Sequence, residues 1–349
     1  MEKLMQAVAV IEPGKVALVE LPVPTPGDYE ALVKSEAAYI CNATDRKLIE
    51  GHFPGIARDA YPLILGHETV GRVVAVGGKV RNFKLGDRVL GGLLLKPEGF
   101  GSGWGGDAEF ILAADHEAMV EDGVADEEHG WFEVYRIMSR VPDDISVEAA
   151  GLLATWREVY AAFADFHLGA GDDILIFGGG PVGLSFCRFA KLLGLGWVGL
   201  VDGHAFKREK ALAFGADAVL ARDDPAIARL VQERGKPLDA VIDAVGSETI
   251  INTALPLIRL GGSVCVYGVL DGDGLTLAKG GAPYNFNLFI HQWPTRDAEF
   301  AAQAPLVEWI RAGKLRPEDF KTAEFPLRDI TAALDAVRQP TSTKTMLRF

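Results

Sequence analysis

The chain is poor in cysteine, with Cys41, Cys187 and Cys265 its only three in 349 residues. Three scattered thiols make no disulfide framework, and a reducing cytoplasm is the expected location. No apolar run is long enough to span a bilayer, and the opening MEKLMQAVAVIEPGKVALVE alternates like a strand rather than a secretory leader. No membrane partner is therefore expected. Basic residues are outnumbered, 35 Lys and Arg against 48 Asp and Glu, and no basic stripe relieves the formal charge of −13. That balance argues against a nucleic-acid partner. Internal repeats and low-complexity tracts are also missing. What remains is the composition of a globular protein, 49% hydrophobic and 24% charged, with a length that favours two domains.

The most informative stretch runs from Asp172 to Asp202, DDILIFGGGPVGLSFCRFAKLLGLGWVGLVD. Ile174–Phe177 reads as a short buried parallel strand, and Gly178-Gly-Gly-Pro-Val-Gly183 satisfies G-x-G-x-x-G directly after it. The following residues have helical periodicity, and a second apolar run ends on Asp202, about 20 residues further on. In that context the motif predicts a dinucleotide site. Gly178 permits the tight turn, Gly180 lets a pyrophosphate approach, and Gly183 lets the helix pack on the strand. The helix N-terminus offers unpaired N–H groups to the phosphates, and Pro181 and Val182 at its start are assigned to the cofactor site. Asp202 suits a ribose diol and repels a 2′-phosphate, so NAD is expected over NADP, although Lys207 and Arg208 lie nearby. Val245, Gly268 and Val269, near the ends of later strand-like runs, are also assigned to the cofactor site.

Residues 1 to about 150 are β-rich, with alternating segments broken by Gly, Pro and Asp as in a barrel-like domain. The acidic stretch from Asp115 to Arg140 reads as an exposed excursion or subunit-contact loop. Residues 146–168 predict a helix with Ser146 as its N-cap and Glu148 in the first turn. From Asp172 strands and helices alternate, as in a doubly wound parallel sheet. Here ETIINTALPLIRLGG is expected to be helical and SVCVYGVL a strand. Near the end, AEFAAQAPLVEWIRAGKL and LRDITAALDAVRQ predict helices, and KTMLRF a final strand.

The β-rich part carries Cys41-Asn-Ala-Thr-Asp45 and Gly66-His67-Glu68. A thiolate and an imidazole are donors that zinc prefers, and a catalytic zinc needs three protein ligands. Glu68 and Asp45 are candidates for a further ligand or for holding His67 in one tautomer. Cys187 and Cys265 fall in helix-like and strand-like apolar runs and read as inert core residues.

In this order, and together with Lys84-Leu-Gly-Asp-Arg-Val89, Gly105-Gly-Asp-Ala-Glu-Phe110 and Phe214-Gly-Ala-Asp217, these motifs resemble the zinc-containing medium-chain alcohol and polyol dehydrogenases. The resemblance implies an α/β protein with two domains. Residues 1–153 and 296–349 would form a GroES-like β-barrel catalytic domain, and 154–295 a Rossmann doubly wound parallel-sheet domain. It also implies that Cys41 and His67 bind a catalytic zinc beside Glu68. Thr44 would relay the alcohol proton and Asp45 support His67.

Three departures from the family pattern stand out. The cysteine motif is one residue longer than the common C-G-T-D. The family's third ligand falls near Leu153-Ala154, neither of which binds metal, and Glu158, one helical turn on, is the substitute expected here. Residues 90–120 contain no cysteine, so no structural zinc is expected. Phe53, Trp104 and Trp156 are candidate pocket walls, and His52 a polar pocket residue or a surface one.

The expected reaction moves a hydride between NAD(H) and a secondary alcohol of a polyol, cyclitol or sugar, in a homodimer or homotetramer. The subunit contact is expected at SVCVYGVL and the loop after it. Two rivals share the scaffold. One is a zinc-free NAD(P)H-dependent quinone or enone reductase, and the other a non-catalytic nucleotide-binding protein.

Overall fold

A computed structural model describes residues 3–270 and 274–349. The chain divides into two compact units, Met1–Arg157 with Arg296–Phe349, and Glu158–Thr295. The division falls inside the helix Val147–Asp165, about one turn beyond the 153/154 boundary expected from sequence. Among the described residues no helix is long and apolar enough to cross a membrane.

The first unit is built on two sheets. In one, the strand Leu4–Glu12 lies between Lys15–Pro22 and Leu63–Ile64, with Gly101–Ser102 beyond. In the other, Glu30–Tyr39 pairs with Thr69–Val76, with Phe110–Ala114 and with the C-terminal strand Lys344–Arg348. The period of two in strand Leu4–Glu12 serves two cores at once. Met5, Ala7 and Ala9 enter one apolar cluster, while Val8 and Val10 enter another. That second cluster also holds Leu48, Ile49 and Phe53 with Leu327, Ile330 and Leu347, so the returning C-terminal segment completes this unit.

The segment 115–140, expected to be an exposed excursion or subunit-contact loop, is exposed over 120–123 and 126–130 but anchored at both ends. Asp115 caps the helix His116–Glu121 by accepting from the Ala118 amide, and Met119, Tyr135 and Met138 are buried in the barrel core. Arg136 lies over the Phe300 ring at 3.9 Å and bonds Asp297 and Glu117. Acidic composition hid a segment that is anchored by a few apolar residues and by pairing of its two arginines, Arg140 lying 2.9 Å from Asp87.

The second unit carries a six-stranded parallel sheet in the order Ala218–Leu220, Val198–Val201, Ile174–Phe177, Leu238–Asp243, Ile258–Val266, Asn287–Ile290. Numbered within the unit this is 3-2-1-4-5-6, the doubly wound order whose strand ends form a crevice at the switch between strands 1 and 4. All four residues of Ile174–Phe177 are buried, which is why the run lacks alternation.

Several boundaries differ from the sequence reading. ETIINTALPLIRLGG is α-helical only over Glu248–Ala254, tightens to a 3-10 turn over Leu255–Leu257 and becomes strand at Ile258, because Pro256 has no N–H to continue the α-helix. The helix expected from 298 is two, Arg296–Ala301 and Gln303–Arg311. Ser146 does cap its helix, accepting from the Ala149 amide at 3.3 Å. The strand Ile258–Val266, where a subunit contact was expected, is paired on both sides. On that side the sheet ends in the unforeseen strand Asn287–Ile290, its other edge being Ala218–Leu220. Residues 271–273 of the loop expected to join that contact lie outside the described residues.

Candidate active site

In the first unit Cys41 follows the strand Glu30–Tyr39 and precedes the helix Thr44–Glu50. The Asp45 carboxylate accepts from the Cys41 amide at 2.8 Å, closing the C-N-A-T-D turn on itself. Neighbouring backbone bonds fix that turn to its surroundings. The Tyr39 amide donates to the Glu68 carbonyl at 3.1 Å and the Ile40 amide to the Thr345 carbonyl at 3.0 Å. Gly66 of the G-H-E turn has φ of +100°, and a Cβ there would lie 2.3 Å from the Asp107 nitrogen. Only glycine lets the segment Gly106-Asp107 press against the turn, where the Gly106 amide bonds the Gly66 carbonyl at 2.7 Å.

These constraints bring one donor atom each from Cys41, His67 and Glu68 within 4.8 Å of one another. Sulfur, imidazole nitrogen and carboxylate oxygen form a donor set suited to zinc. His67 Nδ1 faces Asp45 Oδ1 at 3.6 Å, which leaves Nε2 on the side of Glu68 Oε1, 4.0 Å away. An acid behind the remote nitrogen is the usual means of fixing a metal-binding histidine's tautomer. Both facing atoms, and Asp107 Oδ1, are buried without a hydrogen-bond partner.

The local charge is negative. Asp45, Glu68 and Asp107 are all buried, and the buried cation Lys344 is paired with Glu68. Burial raises the Asp45 carboxyl above its ordinary range, with His67 opposing. Burial, and then Asp45, raises Asp107 well above. Burial pulls His67 down, but the Cys41 sulfur, then Asp45 and Glu68, outweigh it and bring the imidazole to about 10. Groups that hold a proton on His67 so firmly also favour a metal cation in its place. The residues present fit a divalent metal.

Two partners of Glu68 escaped the sequence reading. Lys344 Nζ donates to both carboxylate oxygens at 2.5 Å, and the Thr155 hydroxyl donates to Oε2 at 3.0 Å. Thus the helix Val147–Asp165 does reach Glu68, but through Thr155. Leu153 and Ala154 are buried apolar residues, while the Glu158 carboxylate accepts from the Tyr267 hydroxyl at 3.3 Å. Glu158 is not among the three residues whose donor atoms cluster.

Thr44 is buried at the first position of its helix. Trp104 lies against His67 with ring centroids 5.6 Å apart and meets Phe53 edge-on at 5.4 Å. Trp156, by contrast, is wholly buried against Phe320, a core position. His52 is half exposed and 3.3 Å from Glu50.

The second unit carries the nucleotide motif. Gly178 has φ of +99°, and a Cβ on Gly183 would sit 1.7 Å from the Gly178 carbonyl oxygen, so both glycines are obligatory. Around a Cβ on Gly180 there is open space, the room a pyrophosphate needs. The helix Pro181–Leu192 starts there with proline at its first position and no side-chain cap.

Asp202 ends its strand and accepts from the Gly179 amide at 2.7 Å and the His204 amide at 2.8 Å. It thereby braces the glycine turn. Val245 and the pair Gly268-Val269 meet at the ends of two neighbouring strands. A Cβ on Gly268 would lie 2.2 Å from the Val245 carbonyl carbon. Asp243, which sequence reasoning passed over, holds this corner by accepting from the amides of Val245, Gly246 and Ser247. Lys207 is close to the turn, its Cβ 3.0 Å from a Cβ placed on Gly179. Cys187 and Cys265 are fully buried, and burial pushes the Cys187 thiol up to about 12.

Known proteins share this arrangement. Residues 27–121 match the family model of the alcohol dehydrogenase GroES-like domain, and residues 181–289 that of the zinc-binding dehydrogenases. The chain is 31% identical to the NADP-dependent isopropanol dehydrogenase of Thermoanaerobacter brockii, over 74% of each protein. It is 27% identical to the D-arabitol-phosphate dehydrogenase of Enterococcus avium, over 99% of this chain and 98% of that one. The fold matches that of 2R,3R-butanediol dehydrogenase from Bacillus subtilis with a TM-score of 0.78 at 18% identity, covering 99% of each chain. With a barrel unit holding zinc donors and a doubly wound unit holding a nucleotide turn, the chain belongs to the zinc-containing medium-chain alcohol and polyol dehydrogenases, oxidoreductases acting on alcohols.

Proposed function

We propose that this protein uses zinc and NAD to oxidise a secondary alcohol of a polyol, cyclitol or sugar, or to run the reverse reduction. The observation that carries the reading is the cluster of Cys41, His67 and Glu68 donor atoms within 4.8 Å in a buried, negatively charged setting. These residues would hold the metal. When bound, zinc supplies a Lewis acid that eases loss of the alcohol proton, and nicotinamide supplies the hydride acceptor. The chain's own groups do the rest. Asp45 orients the imidazole of His67, Thr44 passes the alcohol proton toward solvent, and the start of the helix Pro181–Leu192 binds the pyrophosphate. The polyol assignment leans on the absence of cysteine from residues 90–120 and on the relative that acts on D-arabitol phosphate. The working unit is proposed to be a homodimer or homotetramer in the cytoplasm, with the sheet edge Asn287–Ile290 as the self-association site.

Metal content tests the central claim. Protein purified without chelators or a metal-affinity step should carry about one zinc per chain, and Cys41→Ser should lose it. A wild type that holds no zinc and takes none up sinks the reading and favours the zinc-free quinone or enone reductase. Glu158→Ala decides the ligand set in the same assay. Zinc retained there leaves Cys41, His67 and Glu68 as the ligands, and zinc lost adds Glu158.

Cofactor choice is proposed to rest on Asp202, which lies beside the glycine turn with Lys207 and Arg208 nearby and whose negative charge would repel a 2′-phosphate. Wild type should prefer NAD. Asp202→Asn, which removes the charge, should raise the ratio of kcat/KM for NADP over NAD by about tenfold or more, on the order of 1.4 kcal/mol. A wild type that prefers NADP, or a ratio unmoved by the substitution, would remove Asp202 from that role.

A further inference from the structure

His116 and Trp131 meet across the segment 115–140, and neither belongs to the candidate metal or nucleotide site. The Trp131 indole nitrogen lies 3.0 Å from His116 Nδ1, with the ring centroids 5.9 Å apart. An indole N–H only donates, so Nδ1 must present its lone pair and the ring proton sits on Nε2. The contact therefore requires a neutral imidazole. Protonation would set two N–H groups against each other.

The two residues stand on parts of the segment that are held very differently. His116 starts the helix His116–Glu121, which Asp115 caps while also accepting from the Arg81 and Asn82 amides. That side is fixed to the barrel. Trp131 follows the 3-10 turn Glu127–His129, and its amide bonds the Asp126 carbonyl at 3.0 Å. Residues 126–130 are exposed, whereas the Trp131 ring is partly buried against the barrel core. The indole is thus the inward anchor of an exposed turn. His116 also borders a cavity of about 760 Å³, through which water and protons reach it.

Burial lowers the His116 imidazole below its ordinary value of about 6.5, and Arg136 on the turn Glu133–Ile137 adds to the effect. Glu117 and Asp115 from its own segment, and Asp297 from the helix Arg296–Ala301, work against it. Arg140, Glu308 and Arg311 line the same cavity. With the closed form holding its proton less tightly than the open form, closure is favoured above the ordinary value and weakens as the pH falls through it.

We infer that the His116–Trp131 contact is a pH-sensitive latch, which holds the turn 126–131 on the barrel near neutral pH and releases it in acid.

His116→Asn tests this, because its Oδ1 is a non-titrating acceptor as many bonds from the backbone as Nδ1. Trp131→Phe removes the donor, and His129→Gln removes the other histidine of the segment. Each would be digested briefly with proteinase K beside wild type at about pH 7.5 and at about pH 5.5, on either side of the histidine range. Comparison within one pH cancels the protease's own pH dependence. Wild type should be cut within 123–132 as slowly as His116→Asn at the higher pH. At the lower pH it should be cut about fivefold faster or more, the weight of about one hydrogen bond. His129→Gln should follow wild type, and Trp131→Phe should be cut faster at both. The indole N–H resonance missing from Trp131→Phe should shift in wild type with a midpoint below about 6.5 and stay in place in His116→Asn.

Equal cleavage of wild type and His116→Asn in acid overturns the latch, as does an acid response lost in His129→Gln. Acid cleavage scattered over the whole chain overturns it too. Should Trp131→Phe fail to fold, the comparison with His116→Asn decides alone.

Discussion

Replacing Lys344 by methionine should destabilise the zinc-free protein by about 3–5 kcal/mol, the usual consequence of stripping one partner from a buried ion pair. The side chains of Lys344 and Glu68 are 3% and 4% exposed, and the ammonium lies on both carboxylate oxygens. Methionine keeps the bulk, so the packing survives and the charge alone is lost. Glu68 would then be left in the protein interior with the Thr155 hydroxyl as its donor, near the acids Asp45 and Asp107. For a slope of about 2–3 kcal/mol per M, the urea midpoint should fall by about 1–2 M.

Zinc should restore more stability to the variant than to wild type. A dication at Cys41 and His67 supplies the countercharge that Lys344 no longer provides, and ligand bound only to the folded state stabilises it by mass action. A loss below about 1 kcal/mol, or an equal response to zinc in the two proteins, would show that the pair contributes little to the site.

A loss of similar size, about 3–5 kcal/mol, is expected from Arg157→Ala. The Arg157 guanidinium is 1% exposed and donates to the Ile137 carbonyl, the Ser139 hydroxyl and the Gln303 side-chain oxygen at 3.0–3.1 Å, with Glu299 at 3.6 Å. Truncation removes the side-chain donor on the Ile137 carbonyl, leaves Ser139 and Gln303 bonded only to each other and to the Arg140 carbonyl, and leaves Glu299, itself buried, with Arg296 as its cation. Because Arg157 joins the end of the segment 115–140 to the helices Arg296–Ala301 and Gln303–Arg311, the effect should have a location. Limited proteolysis should open that segment first, as local unfolding precedes global unfolding where contacts are removed. A variant that cuts no faster there, or unfolds within about 1 kcal/mol of wild type, would contradict this account.

What the sequence by itself determined is what local stereochemistry demands. The nucleotide turn is legible because Gly178 needs a left-handed backbone and Gly183 a missing side chain, and both needs leave glycine at fixed offsets after an apolar strand. Asp202 is legible for a related reason, since its place at the end of the next strand follows from the repeating length of a strand–helix unit. Cys41 and His67 could be singled out because few other residue types bind zinc, and the acid of the C-N-A-T-D turn proved to face the imidazole.

The tertiary structure alone decided the partners that lie far away in the chain. Lys344 reaches Glu68 across a sequence separation of 276 residues, through pairing of the last strand with Glu30–Tyr39. No periodicity or motif encodes such a meeting. The family's third-ligand position pointed to Leu153 and Ala154, with Glu158 one helical turn on as the substitute, whereas Thr155 is the residue on Glu68, because the helix's rotation is set by the core it packs against and not by its composition. The strained backbone of Trp104, with φ of +69°, likewise comes from hydrogen bonds to Ile64, Leu94 and Gly66, three segments brought together only by the closed sheets. Motifs thus marked the groups proposed to carry the chemistry, and long-range packing determined what surrounds and charges them.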